Sequence, residues 1–306
     1  MSADPEPLAF DKTFRPRAGE AVAVAPGIVR ITAPNASPYT FTGTNSYLAG
    51  TDSLAVIDPG PDDKGHLDAL LRAIDGRPVT AILLTHTHKD HSRLTPALRE
   101  ATGAPLWFGG VHRLSRPLRD REINPLQDSC DWDLVPDLTL VDGAPIELGG
   151  MVLRAIATPG HCANHLCYGV EGSEFMLTGD HVMGWNTTLV APPDGSMKDY
   201  YASIDRMAGL PYRVYLPGHG GPVADGPAYA RALKAHREMR DGQILAAARE
   251  GATTLGPLLD RIYPGLAPDL RGAAAMTLLA HVEYLEARGR IDCLWTESGP
   301  RIRAVR

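Results

Sequence analysis

The sequence predicts an α+β chain in two parts, a larger one of strands and helices followed by a smaller, mainly helical one. Three observations predict it. Short β-prone runs alternate with helical patterns as far as about residue 230. From Pro227 onward the texture is helical with one hairpin, which places a boundary near 230–240. The length of 306 residues, with 44% hydrophobic and 22% charged, is ordinary globular composition and suits one large domain with a small appendage. The expected division is a polar leader over 1–20, a main domain over 21–236 and an appendage over 237–306.

The elements follow in order. Ala21–Val24, Ile28–Ile31, Ser46–Leu48 and Leu54–Ile57 are short strands. Pro26-Gly27, a Pro/Asn/Ser-rich loop over 33–45 and Gly50-Thr51-Asp52 separate them. Gly65–Ile74 is a helix, because Leu67, Leu70, Leu71 and Ile74 share one face. Val79–Leu84 is a buried strand running directly into THTHKDHS. Thr95-Pro96 opens a helix that ends near Gly103, and 110–140 is irregular. Strands are expected near 138–141, 152–157, 166–170 and 174–178. Pro192–Ser196 is a loop, Met197–Ala208 a helix, and Val214–Leu216 a strand that delivers PGHGG. Tyr229–Glu250 is a long helix with Leu233, His236 and Ile244 among its inward candidates. Thr254–Tyr263 and Pro268–Ala287 are further helices, and Gly289–Trp295 is a turn and strand.

Several classes are excluded. No run of about 18 apolar residues exists to span a membrane. The first twenty residues lack an apolar stretch of signal-peptide length, so a cytoplasmic protein is expected. A net charge of −6 disfavours a protein whose main task is coating nucleic acid. Cys130, Cys162, Cys167 and Cys293 form no CxxC pair and no disulfide framework. Neither GxSxG nor SxxK is present to mark a serine nucleophile.

The chemistry concentrates in His86-x-His88-x-Asp90-His91, four ligand-type groups within six residues at the end of an apolar strand. Neutral imidazole and carboxylate suit zinc, and also iron or manganese. On an extended backbone His86 and His88 point the same way, while Asp90 and His91 break that period and can serve a second ion. Three more groups share the context: His161 in TPGH, Asp180 in TGDH and His219 in PGHG, each after a short apolar strand. Seven such groups at four strand ends are what a two-metal hydrolytic site requires. His66, His112, His165, His236 and His281 stand alone and are expected as core or surface residues. Cys162, beside His161, is expected to pack.

In THTHKDH, TPGH, TGDH and LPGHG, and in GTNSYL and IDPG before them, the chain resembles the metallo-β-lactamase fold superfamily over about 20–225. The tail from HREMRDGQILAAAREG onward resembles the winged-helix appendage of the branch containing beta-lactamase-like protein 2. The resemblance implies a four-layer αββα sandwich with a small winged-helix-like α domain behind it. It implies two Zn²⁺ per chain, with Fe or Mn as alternatives. His86, His88 and His161 would hold one metal; Asp90, His91 and His219 would hold the other; Asp180 would bridge them. Asp58, in IDPG, would orient the loop or a ligand. A metal-bridging hydroxide would attack the substrate, with Asp90 steering it and relaying its proton.

Substrate expectations follow from departures within the superfamily. The true β-lactamases lack a carboxylate at the bridging position, so Asp180 argues against a dedicated lactamase and leaves weak lactam hydrolysis. The expected substrate is a small acyl compound, a thioester, lactone or ester. Single-stranded RNA is the alternative, because the resembled branch is endoribonucleolytic. A nucleic-acid-binding regulator with a structural metal is the non-enzymatic alternative. Lys89, Arg93 and Lys198 are candidates for the site mouth, and Trp185, Tyr200 and Tyr201 for substrate contact or core. The tail carries ten arginines against nine acids, with Arg301, Arg303 and Arg306 the best support for nucleic acid. The apolar run Ala273–Leu279 instead suggests packing against the catalytic domain or a second subunit of a homo-oligomer.

Overall fold

A computed structural model describes residues 8–251, 253–296 and 299–305. The first seven residues of the expected leader, and Arg306, lie outside the described residues. Seven strands form one sheet in chain order: β1 (Ala21–Ala25), β2 (Ile28–Thr32), β3 (Asn45–Gly50), β4 (Leu54–Ile57), β5 (Val79–Leu83), β6 (Leu106–Phe108) and β7 (Leu138–Thr139). β1 to β4 pair antiparallel, and β4 to β7 pair parallel. Parallel neighbours need a crossover. Helix α1 (Lys64–Ile74) joins β4 to β5, and α2 (Lys89–Ser92) and α3 (Thr95–Thr102) lie between β5 and β6. The Asp63 carboxylate caps α1 by accepting from His66 N, so the helix starts one residue before the predicted Gly65.

The second sheet is a meander of β8 (Pro145–Glu147), β9 (Val152–Ala157), β10 (Leu166–Val170) and β11 (Phe175–Gly179). After α4 (Met197–Ala208), β12 (Val214–Pro217) joins β11 in parallel. Strand alternation then sets the layers. Tyr47, Ala49, Ala55, Ile57 and Leu83 from the first sheet pack on Leu153, Ala155, Leu166, Tyr168 and Leu177 from the second. The opposite face of the first sheet, with Leu48, Val56 and Ile82, packs on Leu70, Ile74 and Leu98 of α1 and α3. The opposite face of the second, with Ile156, Cys167 and Tyr215, packs on Tyr200, Ile204 and Met207 of α4. The result is an αββα sandwich, because each sheet is apolar on both faces and must be covered twice.

Helix α5 (Gly226–Glu250) leads out of the sandwich. It starts earlier than predicted because Asp225 caps it, accepting from Ala228 N, and Pro227 suits a first turn. It is followed by β13 (Thr253–Thr254), α6 (Leu255–Ile262), α7 (Arg271–Ala287), β14 (Ile291–Thr296) and β15 (Gly299–Ala304). The three strands form a sheet in the order β13-β15-β14, so the appendage holds more strand than the sequence texture suggests. Its core joins Ile244 and Ala248 of α5 to Leu258, Leu278, Val282, Ile291 and Ile302.

His66 gives the fold an acid sensitivity. It is buried between α1 and the first sheet, with Nε2 2.8 Å from Ser46 Oγ. Burial lowers its pKa to about 4, outweighing the nearby Asp63. The unfolded chain therefore binds more protons than the folded one as pH falls from about 6.5 towards 4, and stability drops over that window. The wild type is expected to lose roughly 2 kcal/mol more than His66→Gln between pH 7.5 and pH 5. Parallel urea unfolding of the two proteins checks this; equal losses would show that His66 takes up its proton in the folded state.

Candidate metal centre

The topology brings the predicted groups to one edge. β9 and β11 are both antiparallel to β10, and β12 is parallel to β11, so all three end on the same side. Their last turns carry His161, Asp180 and His219. The parallel strands β4 and β5 deliver Asp58 and the His86–His91 segment. The second half of that segment is the helical turn α2, which explains why Asp90 and His91 break the alternation of His86 and His88.

All seven candidate ligands converge in two groups. His86 Nε2 and His161 Nε2 lie 3.0 and 2.9 Å from His88 Nδ1. His219 Nε2 lies 3.2 Å from Asp90 Oδ2 and 3.3 Å from His91 Nε2. Asp180 stands between the groups, with Oδ1 3.3 Å from His91 Nε2, and Oδ2 3.4 Å from His219 Nε2 and 3.8 Å from His161 Nε2. Gly218 makes room for this: a Cβ there would lie 2.6 Å from Asp180 Oδ1.

The outer face of each ring is occupied, which fixes which nitrogen faces inward. Asp58, at φ 52°, accepts from Thr85 N and Thr85 Oγ1, both at 2.7 Å, and from His91 Nδ1 at 3.0 Å. Because the Thr85 hydroxyl donates to Asp58, it accepts from His86 Nδ1 at 2.9 Å. His161 Nδ1 donates to Leu189 O and His219 Nδ1 to Gly43 O. His88 Nε2 donates to Asp194 Oδ2 at 2.9 Å. Five imidazoles thus turn a free nitrogen toward the centre, while the buried Asp180 Oδ1 makes no hydrogen bond. Nitrogen lone pairs this close, with an unsatisfied carboxylate oxygen between them, suit divalent cations with mixed nitrogen and oxygen ligands, as zinc, iron and manganese are.

Charge is unevenly held within the cluster. Burial opposes protonation of His91, but Asp90, Asp180 and Asp58 outweigh it and raise its pKa well above the usual range. Asp180 and Asp90 likewise raise His219 to about 9 against burial. His161 goes the other way, lowered to about 4 by burial and by its neighbour His88.

Asp194 was missed by the sequence reading, which took Pro192–Ser196 as a plain loop. It is fully buried, and besides His88 it holds His112 Nε2 at 2.9 Å. Its Pro-Asp-Gly surroundings signal a turn and nothing more. The remaining lone histidines stay outside the two groups. His66 bonds Ser46, His165 bonds Thr158, His281 bonds Asp241, and His236 is half-buried on α5. Cys162 is buried with its thiol on Asn164 Oδ1.

A family model described as the Metallo-beta-lactamase superfamily matches residues 39–219, and one described as the Beta-lactamase associated winged helix domain matches residues 254–293. The chain belongs to the metallo-β-lactamase superfamily. It is a hydrolase of that superfamily. The lactamase-like protein adaB of Aspergillus niger is 30% identical over 305 residues, covering 93% of this chain and 88% of its own. An atrochrysone carboxyl ACP thioesterase of Aspergillus fumigatus is 25% identical, covering 81% of this chain and 76% of its own. Among solved structures, a metallo-beta-lactamase family protein of Thermus thermophilus superposes with a TM-score of 0.75 at 27% identity, over 92% of this chain and all of its own. A beta-lactamase domain protein of Burkholderia ambifaria, with a TM-score of 0.78 and 21% identity over 96% of both chains, shares the fold.

In this superfamily member the centre opens into a cleft of about 720 Å³. His88, Asp90, His161, Asp180 and His219 form its floor. The opposite wall comes from the winged-helix part: Leu266, Leu270, Ala273, Ala274 and Met276. The apolar run of α7 divides, with Leu278 in the appendage core and Ala273, Ala274 and Met276 on the cleft. The wall is clamped by ion pairs, since Arg116 and Arg119 of the irregular 110–140 segment both donate to Glu283 on α7.

Of the other sequence candidates, Trp185 lines the cleft and stacks on Phe41 with ring centroids 4.9 Å apart. Tyr200 and Tyr201 are core residues. Lys89 lines the cleft with its ammonium on Asp128 O, whereas Arg93 and Lys198 are exposed elsewhere. Arg301 and Arg303 are exposed on β15 and do not reach the cleft. Among the described residues, no helix is long and apolar enough to cross a membrane.

Proposed function

We propose that this hydrolase cleaves the thioester of a small acyl compound with two divalent metals, Zn²⁺ foremost. His86, His88 and His161 would hold one metal and Asp90, His91 and His219 the other, with Asp180 shared. Bound there, the metals would supply Lewis acidity and lower the pKa of water toward neutrality. The observation that carries the reading is the cleft. Its floor is the ligand cluster and its facing wall is apolar, which suits an acyl chain better than a polyanion. Two thioesterase-named relatives, which cover 81% and 75% of this chain, support the same class.

The chain's own residues divide the work. Asp58 and Asp194 fix the rings of His91 and His88 by accepting from their outer nitrogens. The side chain of Asp90 is 31% exposed, so its carboxylate can reach substrate. In the hydrolysis, water adds its oxygen to the acyl carbon and the carbon–sulfur bond breaks. Asp90 takes the water proton and returns it to the leaving thiolate, giving a carboxylic acid and a thiol. The apolar wall excludes bulk water and positions the acyl chain.

An RNA substrate gains no support from the cleft. Its only Lys and Arg among the described lining residues are Lys89 and Arg237. The test is a metal-loaded panel of one acyl-N-acetylcysteamine thioester, one lactone, one lactam and one single-stranded RNA. Thioester turnover with RNA left intact is expected; RNA cleavage with an inert thioester would overturn the proposal.

A further inference from the structure

Arg237 is a cleft residue whose chemistry the hydrolytic reading does not use. It lies on α5, the helix that links the two parts of the chain. It is 2% exposed, yet it borders the cleft. Among the described residues its guanidinium gives a single hydrogen bond, from Nη2 to Thr188 O. Nε is buried without a partner, and among the described residues no carboxylate forms an ion pair with it within 4.0 Å. Asp241, one helical turn on, is engaged by other groups: it accepts from Tyr201 Oη at 2.7 Å and pairs with His281 Nδ1 at 2.6 Å. The Tyr200 ring lies under the guanidinium at 5.7 Å, and its hydroxyl also lacks a partner.

A buried guanidinium keeps its proton and is costly to leave without an anion. Arg116 shows how this chain ordinarily meets that need, with Glu122 and Glu283 both on its guanidinium. Arg237 has no such acid, and it faces a cavity. It is also close to the reacting centre, for the residue whose carbonyl holds it, Thr188, places Oγ1 3.1 Å from His161 Nδ1. Leu270, Ala273 and Ala274 line the same cleft.

We infer that Arg237 is a specificity-determining residue that receives a second carboxylate on the acyl group, joined to the thioester carbonyl by an apolar segment. This rests on the thioester reading above and narrows its substrate class to acyl groups of a dicarboxylic acid. The phosphate of a pantetheine carrier is the other source of an anion, and N-acetylcysteamine thioesters, which carry no phosphate, separate the two.

The experiment compares glutaryl-N-acetylcysteamine with its neutral amide counterpart, glutaramoyl-N-acetylcysteamine, on the metal-loaded protein. The wild type is expected to favour the acid in kcat/KM by about tenfold or more, the scale of a charge-assisted hydrogen bond. Arg237→Gln is expected to bring the ratio near one, and Arg237→Lys to keep part of it. A wild-type ratio at or below one overturns the inference without any variant, as does a ratio that Arg237→Gln leaves unchanged. If neither thioester is cleaved, the hydrolytic reading fails, and calorimetric binding of glutarate against glutaramate decides the subsite by itself. Tighter binding of glutarate that Arg237→Gln removes supports it; equal affinities in the wild type overturn it.

Discussion

Asp90→Asn is expected to lower the turnover of an acyl thioester by roughly 10²- to 10⁴-fold, with the fold retained. The substitution keeps the shape of the side chain and one oxygen near His219 Nε2, which now lies 3.2 Å away. It removes the charge and the capacity to take a proton. Asp90 sits on the exposed side of α2, so its replacement opens no cavity in the core. The variant's metal content, measured alongside its kcat, separates lost chemistry from lost metal. Turnover near that of the wild type with the metals still bound would remove Asp90 from the mechanism.

Asp194→Ala is the second large effect. It strips the acceptor from His88 Nε2 and the paired carboxylate from His112 Nε2 in one step, both now at 2.9 Å from it. A ring that has lost its outer partner is free to rotate and to change tautomer, and such losses typically weaken metal binding by about 10- to 100-fold. The buried His88 donor left unpaired also costs about 1–3 kcal/mol of stability. Asp194→Asn should fall between, because one amide oxygen can serve only one of the two rings. Competition against a chelator at neutral pH measures the affinities. An unchanged affinity in a folded Asp194→Ala protein would show that His88 is oriented by packing alone.

The contrast between these two aspartates shows what the sequence could reveal. Asp90 is legible because the chemistry is local: His86, His88, Asp90 and His91 crowd into six residues after an apolar strand. His161, Asp180 and His219 are legible for a related reason, since each follows a short β run within a Pro- or Gly-containing turn. Asp194 meets His88 across 106 positions, and nothing near it in sequence signals that contact. Arg237 was passed over for its neighbour His236 as an inward residue of the long helix. The buried side of the helix is one stripe through Ala230, Leu233, Arg237, Asp241, Ile244 and Ala248, but Arg237 and Asp241 interrupt its apolar pattern. β6 and β8 went unread because three residues are too few to show a period. The apolar run Ala273–Leu279 on α7 is legible as a contact surface, but its place on the cleft exists only once the appendage folds back over the strand ends.

The most direct test of the two-metal thioesterase reading is a Zn²⁺ titration of chelator-treated protein, followed by hydrolysis of an acyl-N-acetylcysteamine thioester. The predicted result is no turnover without metal and a rise that saturates at two Zn²⁺ per chain. Turnover that persists in metal-free protein, or metal-saturated protein that leaves the thioester intact, would contradict it.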